Sequence, residues 1–220
     1  INSKVTVNAI ITDLPYQVTN NSWDVAIPFT DMRDRIDKLS NLTTPVILFG
    51  MEPFSSGLRL SNIKNYKYDW VWIKDNGTGF LNAKKQPLRI YEHISVFYKK
   101  QPTYNPQMRE GFKPYIAKRS GDSFSSNYGS QVNITTVNDG NRYPINTLEF
   151  KRDASRVHPT QKPVALMEYL IKTYTNPGDT VLDFTMGSGS TMVGCKNTNR
   201  NGIGIELLKD NFDIAIGRLT

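Results

Sequence analysis

Residues 179 to 206 hold the densest set of groups that could bind a small molecule. A short apolar run, Val181 and Leu182, ends in a carboxylate at Asp183, and Phe184, Thr185 and a bend of Gly187, Ser188 and Gly189 follow. Glycine tolerates the backbone angles of a tight turn. The stretch therefore predicts a strand, a glycine loop and a helix opening at Ser190 or Thr191, whose hydroxyl would cap the free N–H groups. A second short strand, Gly202 to Ile205, delivers Glu206 roughly 20 residues beyond the loop. In a parallel sheet the two strand ends face one crevice, and an acid at that distance can take both hydroxyls of a ribose. Glycines at 187, 189 and 194 are not the Gly-x-Gly-x-x-Gly that seats a pyrophosphate, and no phosphate-loop lysine follows. A nucleoside cofactor with a small zwitterionic tail and no phosphate fits better, and S-adenosylmethionine is such a molecule. The plainer alternative is a strand, turn and helix that bind nothing.

A second constellation lies near the start. Val5 to Thr12 predicts a strand whose Ala9-Ile10-Ile11 core is apolar on successive residues, as in strands buried on both faces. It runs into Asp13-Leu14-Pro15-Tyr16, where Pro15 stops the ladder and biases Leu14 towards an extended backbone. Such a turn presents a carboxylate, an unpaired carbonyl and an aromatic ring together. If the substrate is an exocyclic amine on a nucleobase, the trio has a use, because that amine's lone pair is delocalised into the ring. The Asp13 carboxylate and Leu14 carbonyl, accepting its two hydrogens, would localise the pair and aim it at an electrophilic methyl, while Tyr16 stacks on the extruded base. Read more plainly, the same residues make a capped turn and a core tyrosine.

The elements that must position these groups can be read in order. Residues 17 to 29, with Trp23 and Phe29, are expected to be a polar loop near the substrate. Asp31 to Leu42 places Met32, Ile36 and Leu39 at helical spacing and predicts an amphipathic helix. Pro45 to Gly50 predicts a buried strand, Gly57 to Asn65 a short helix, and Tyr68 to Lys74 a strand alternating aromatic and polar residues. Asp75 to Lys85 is a glycine- and lysine-bearing loop before a further strand, Arg89 to Lys100; His93 within that strand has no partner at metal-ligand spacing and is expected to be structural. Between Gln101 and Val157 hydrophobic runs give way to Tyr, Asn, Ser, Gly and Pro, and basic residues outnumber acidic ones. An insertion of this kind, with tyrosines at 104, 115, 128 and 143, suits phosphate contacts and base-edge or stacking contacts. A long disordered loop is the alternative. After His158 to Pro163, an amphipathic helix runs to Tyr174, Asn176-Pro177-Gly178 stops it, and Asp210 to Leu219 predicts a closing helix.

Composition sets the outer bounds. At 220 residues the chain fits one α/β domain with room for one sizeable insertion. A net charge of +7 points to a polyanionic partner, nucleic acid being the commonest. The single cysteine, Cys195, cannot form an intrachain disulfide and is expected in the core. No apolar run is long enough to span a bilayer and no signal peptide is visible, so a soluble, cytoplasmic protein with no membrane partner is expected. The chain opens abruptly, which leaves room for a natural start upstream of Ile1.

Taken together, the segments resemble the amino-methylating DNA methyltransferases of the β class, in which the catalytic motif precedes the target-recognition region and the cofactor motif comes last. Asp13-Leu14-Pro15-Tyr16 is similar to that family's Asp-Pro-Pro-Tyr, and the strands holding Trp70 to Lys74 and Tyr91 to Ile94 are similar to the sheet motifs that follow it. His158-Pro159-Thr160-Gln161-Lys162-Pro163 resembles the segment that lies against the methionine part of the cofactor; Asp183 to Gly189 resembles the cofactor loop and Glu206 the ribose-binding acid. The resemblance implies a largely parallel, Rossmann-like α/β sheet with helices on both faces. It divides the chain into a catalytic half at 1–100, a target-recognition insertion at 101–157 and a cofactor-binding half at 158–220. Asp13, Leu14, Pro15 and Tyr16 become the catalytic residues. His158, Thr160, Gln161, Lys162, Pro163, Asp183, Phe184, Thr185, Gly187, Ser188, Gly189 and Glu206 become the residues for S-adenosylmethionine, with no metal.

The implied reaction moves a methyl group to the N6 amine of adenine in double-stranded DNA, at a short site and after base flipping, as in restriction–modification. An aspartate heading the catalytic motif favours adenine over the N4 amine of cytosine, and RNA fits a large basic insertion less well. A non-catalytic DNA-binding subunit that keeps the fold is the rival from another class. Family members include monomers and dimers, so a homodimer stays open. Two departures stand out. Leu14 replaces the family's proline, which keeps the carbonyl and costs rigidity. Thr185 stands where the family has phenylalanine, with Phe184 at the neighbouring proline position, so an aromatic contact to the cofactor is expected to shift or vanish.

Overall fold

The structure, a computed structural model, describes residues 6–17, 24–119, 133–158 and 160–220. Val5 of the expected first strand, Trp23 of the expected substrate loop, Tyr128 of the insertion and Pro159 of the cofactor segment lie outside these ranges. The chain divides into two compact units, residues 1–105 with 146–220 and residues 106–145.

The larger unit is built on seven strands: β1 (Ala9–Asp13), β2 (Val46–Gly50), β3 (Tyr66–Thr78), β4 (Arg89–Phe97), β7 (Thr147–Glu149), β8 (Thr180–Asp183) and β9 (Asn201–Gly204). They lie side by side in the order β7-β3-β4-β2-β1-β8-β9. β1 pairs in parallel with β2 and β8, β8 with β9, and β3 with β7, whereas β4 runs antiparallel to β2 and β3. This is the largely parallel sheet implied by the sequence. The strands and helices expected in this unit are found with limits shifted by up to about five residues, the helix expected at Gly57 to Asn65 lying at Phe54–Leu60, whereas β7 falls in the stretch expected to be insertion.

The continuous apolar runs have a simple cause: each central strand is covered on both faces, so successive side chains enter different cores. Ile11, Ile47 and Phe49 point to the face covered by α3 (Val164–Tyr174), where they meet Leu166, Leu170 and Ile171. Ile10, Val46 and Leu48 point to the opposite face, where α1 (Phe29–Leu39) and α2 (Phe54–Leu60) supply Met32, Ile36 and Leu58. α4 (Ser190–Asn197) lies beside α3, and α5 (Lys209–Leu219) places Ala215 against Met186 and Met192. Cys195 of α4 is a core residue, and burial pushes its thiol up to about 12, which makes it a poor nucleophile. Among the described residues no helix is long and apolar enough to cross a membrane.

In the smaller unit β5 (Tyr115–Arg119) pairs antiparallel with β6 (Ile134–Asn138), and both strands are almost wholly exposed. Among its described residues no apolar side chain is buried, and cationic groups pack against aromatic rings. The Arg142 guanidinium lies 4.8 Å from the Tyr115 ring centre and 5.3 Å from that of Phe112, and Arg109 lies 5.1 Å from Phe112. Arg109 and Arg142 also exchange backbone hydrogen bonds at 2.8 and 2.9 Å.

Leu170 is fully buried between α3 and the sheet. Leu170→Ala is expected to lower unfolding free energy by about 2–5 kcal/mol in urea titration, with an unchanged fold by circular dichroism.

Candidate active site

β1 and β8 are parallel neighbours, so Asp13 and Asp183 finish at the same rim of the sheet. A cavity of about 400 Å3 opens there. Asp13, Leu14, Pro15 and Tyr16 wall it from the turn after β1, and Asp183, Phe184, Thr185, Gly187 and Ser188 from the bend after β8. His158, Thr160, Gln161 and Lys162 enter the wall from the segment before α3, and Glu206 from the end of β9. Pro163 and Gly189 stand outside the wall; they precede and cap α3 and α4.

At the β1 end, Asp13 is held from both sides. The Tyr16 hydroxyl donates to Asp13 Oδ1 and the Lys162 ammonium donates to Oδ2. Lys162 also faces Glu92 of β4 at 3.4 Å, and Glu92 in turn accepts from Lys74 of β3 at 3.2 Å. The result is an alternating row of charges, Lys74, Glu92, Lys162, Asp13. Burial opposes the charges of Glu92 and Lys162, yet the two lysines hold the Glu92 carboxyl below its usual range, and Asp13 and Glu92 push the Lys162 ammonium upward. Burial carries the Asp13 carboxyl above the ordinary aspartate value, with Lys162 pulling against it. Burial and the adjacent Asp13 raise the Tyr16 phenol well above its usual value, so it stays a donor. The Tyr16 ring lies 5.2 Å from the Phe54 ring centre in a tilted contact.

At the β8 end, Asp183 accepts from the hydroxyls of Thr12 at 2.7 Å and Thr191 at 2.5 Å, and from the Thr185 N–H at 3.1 Å. Thr185 Oγ1 donates to the Asp13 carbonyl at 2.8 Å, tying the two loops together. The expectation that Ser190 or Thr191 caps α4 is therefore corrected. Gly189, at φ 79°, is the capping residue and makes no side-chain bond; Thr191 is drawn to Asp183, and Ser190 donates to the Lys162 carbonyl at 2.8 Å. The hydroxyls satisfy long-range acceptors instead of their own helix terminus.

The groups around Gly187 fit a nucleoside cofactor without phosphate. Glu206 is aimed by two backbone donors, Gly187 N–H to Oε2 and Leu208 N–H to Oε1, each at 2.9 Å, which leaves lone pairs for a diol. A Cβ on Gly187 would meet no atom within 4 Å, so the glycine keeps that part of the cavity open. The lysine and arginine side chains of the wall are committed to carboxylates, Lys162 and Lys74 as above and Arg152 to Asp75 at 2.9 Å. Gln161 donates to Asp153 at 2.7 Å and accepts from the Val157 N–H, which fixes the segment that places Lys162. Among the described residues no group of three or more His, Cys, Asp and Glu could hold a metal ion.

Lys74, Glu92, Met51 and Asn76 also belong to this wall and were not among the expected site residues. The alternation of β3 and β4 could have pointed to the first two, since Lys74 follows Trp70 and Trp72 at every second residue, and Glu92 precedes Ile94 and Val96 in the same way, on the faces that are buried. The pairing of Glu92 with Lys162 spans 70 residues of chain and has no local signal.

Comparison with known proteins bears on family and fold. The profile of the DNA methylase family of N6 and N4 enzymes matches residues 7–217. The "DNA adenine methyltransferase YhdJ" of Escherichia coli (strain K12) is 30% identical over 151 residues, 68% of this chain and 50% of that protein. The chain spans only 27–50% of the length of the curated relatives it matches. Among solved structures, an M1.HpyAVI–SAM complex superposes with a TM-score of 0.63 at 28% identity, covering 97% of this chain and 89% of that one. The cytosine-N4-specific PvuII DNA methyltransferase superposes with a TM-score of 0.67 at 14% identity, covering 98% and 80%, a likeness of fold.

Burial pushes the Asp183 carboxyl up to about 6 from 3.8, the three donors limiting the rise. The folded protein thus holds this proton more tightly than the unfolded chain does, a contribution fully present below about pH 4 and lost as pH rises through about 6. Relative to Asp183→Asn, the wild type is expected to lose about 2–3 kcal/mol of stability between pH 4 and pH 7. Urea titrations of both proteins across that range check it; a pH-independent difference contradicts it.

Proposed function

The chain belongs to the DNA methylase family, and from that premise we propose that it transfers a methyl group from S-adenosylmethionine to the N6 amine of adenine in duplex DNA. The observation that carries this is the meeting of the Asp13 turn and the Gly187–Glu206 bend in one cavity. S-adenosylmethionine, when bound, supplies an electrophilic sulfonium methyl. Glu206 takes the ribose hydroxyls and the open face of Gly187 admits the nucleoside. The segment from His158 to Lys162 lies on the methionine side, with Thr160, Gln161 and Lys162 in the wall. Asp183, Phe184, Thr185 and Ser188 shape the floor between them.

Asp13 and the Leu14 carbonyl accept the two hydrogens of the amine and restore its lone pair for attack. Lys162 and Tyr16 fix the carboxylate's orientation, so little reorganisation remains at the moment of reaction. Pro15 holds the backbone extended, and the buried Leu14 side chain anchors the turn in the α1–α2 core. The Tyr16 ring, backed by Phe54, receives the flipped base. The alkylated amine becomes acidic and loses its proton after transfer.

DNA is the partner best suited to the smaller unit. Its exposed two-stranded ribbon with Lys113, Lys118 and Arg142 has the width of a groove reader, and such ribbons enter the major groove. It serves as the target-recognition region within 101–157. The adenine assignment follows from aspartate at the head of the motif and from the relation to an adenine enzyme. The N4 amine of cytosine offers the same chemistry and is its rival.

Asp13→Ala is expected to retain S-adenosylmethionine binding by calorimetry and to lose kcat by roughly a hundredfold or more. Undiminished methylation in that variant overturns the mechanism. Direct modified-base sequencing of DNA from cells expressing the chain is expected to show N6-methyladenine at one short sequence. N4-methylcytosine there would overturn the choice of base, and methylation confined to RNA the choice of polymer.

A further inference from the structure

The β3–β4 hairpin ends in a turn whose apolar residues face water. Phe80 is 75% exposed and Leu81 wholly so, within a single 3₁₀ turn, Phe80–Asn82. The turn is ordered by its own backbone. The Gly79 carbonyl accepts from Asn82 at 2.9 Å, that of Phe80 from Ala83 at 3.1 Å, and that of Asn82 from Lys85 and Gln86 at 2.8 and 3.0 Å. Gly79, at φ 95°, takes the left-handed step that starts it, and Leu88 packs over Gly77 below, where a Cβ would come within 2.9 Å. Single exposed apolar side chains need no explanation. A rigidly presented pair does when its surroundings are taken into account.

Two features of the surroundings matter. Thr78 and Asn76 belong to the cavity wall, and Phe80 follows Thr78 by two residues, a Cα span of at most about 7 Å. Arg89, paired with Thr78 across the hairpin, donates to Met51 Sδ at 3.3 Å, and Met51 is in the wall as well. The tip therefore stands at the cavity mouth. Residues 76 to 91 also contain Lys84, Lys85 and Arg89 and no acid. A membrane surface or a second copy of the chain would accept two apolar side chains, but neither has a reason to meet them beside this cavity.

We propose that this hairpin tip is a wedge: Phe80 and Leu81 enter the stack of duplex DNA and fill the gap left when the target base turns into the cavity. Lys84, Lys85 and Arg89 meet the phosphates on either side. An inserted apolar side chain replaces part of the lost stacking and opposes the base's return. The wedge accounts for an exposure that the folded chain alone does not reward.

The wedge rests on the methyltransferase function proposed above, and the test separates the two. Wild type and Phe80→Ser/Leu81→Ser are compared on a duplex bearing the sequence methylated by the wild type, and on the same duplex with an abasic site opposite the target base. The double variant is expected to lose roughly tenfold or more in kcat/KM on the paired duplex and to stay within about twofold of wild type on the abasic one. Phe80→Ala alone is expected to give the same pattern, smaller in size. Equal loss on both duplexes, or no loss on either, overturns the wedge. So does sedimentation showing that the double variant dissociates a dimer while methylating paired DNA normally. A wild-type chain that binds S-adenosylmethionine but methylates no DNA removes the methyltransferase proposal itself, and the wedge with it.

Discussion

The structure depends most on the row of alternating charges from Lys74 through Glu92 and Lys162 to Asp13. It ties the segment before α3 to the end of β1 and to the β3 and β4 strands that the sheet already sets side by side. Each charge loses hydration on burial, and each is kept by the opposite charge beside it. Lys162 is the critical member, because it alone touches two carboxylates. Without its ammonium, Asp13 would lose its cation and face Glu92 as a like charge in a buried site, while Glu92 would keep Lys74 beside it. The row therefore does two things at once. It fixes where the Asp13 turn sits, and it keeps a basic group from being available to a phosphate.

The sheet topology explains why two motifs from opposite ends of the sequence share a cavity. β1 and β8 are adjacent and parallel, but the chain leaves them in different directions: from β1 to α1, on the face with Met32 and Ile36, and from β8 to α4, on the face with Leu166 and Ile171. Where neighbouring strands send their connections to opposite faces, the loops part and leave a crevice beyond the strand ends. The cavity is that crevice. Thr12, Thr185 and Thr191 then lace the floor through Asp183, so that the two loops are spaced by hydrogen bonds as well as by the sheet.

Much of this was legible in the sequence, and the parts that were not share a cause. Continuous apolar runs such as Ala9-Ile10-Ile11 and Val46-Ile47-Leu48 identified central strands, since only a strand covered twice needs them. Helical spacing located α1, α3 and α5. β7, three residues inside a polar stretch, gave no pattern, because its place depends on Val71, Trp72 and Ile73 across the gap. Ser190 and Thr191 read as helix caps because capping is local, and they serve distant acceptors because the nearby glycine already turns the chain. Lys162 read as a cofactor contact by position in a motif, while its two carboxylate partners lie far away in sequence.

The Thr185 departure illustrates how a site can exchange one kind of contact for another. An aromatic residue there would offer a cofactor a face, at the cost of a group able to reach the Asp13 carbonyl. Threonine reverses that choice: its hydroxyl bonds the carbonyl at 2.8 Å and its N–H bonds Asp183 at 3.1 Å, while Phe184, one residue earlier, takes a place in the wall. Leu14 complements this. Where the chain gives up the ring that would stiffen the turn, it anchors the same residue in the α1–α2 core, 4% exposed, and lets Thr185 hold the neighbouring carbonyl. The two departures lie on loops joined by that bond, so the turn from Asp13 to Tyr16 is tied to the loop after β8 by a side-chain hydrogen bond as well as by the buried Leu14.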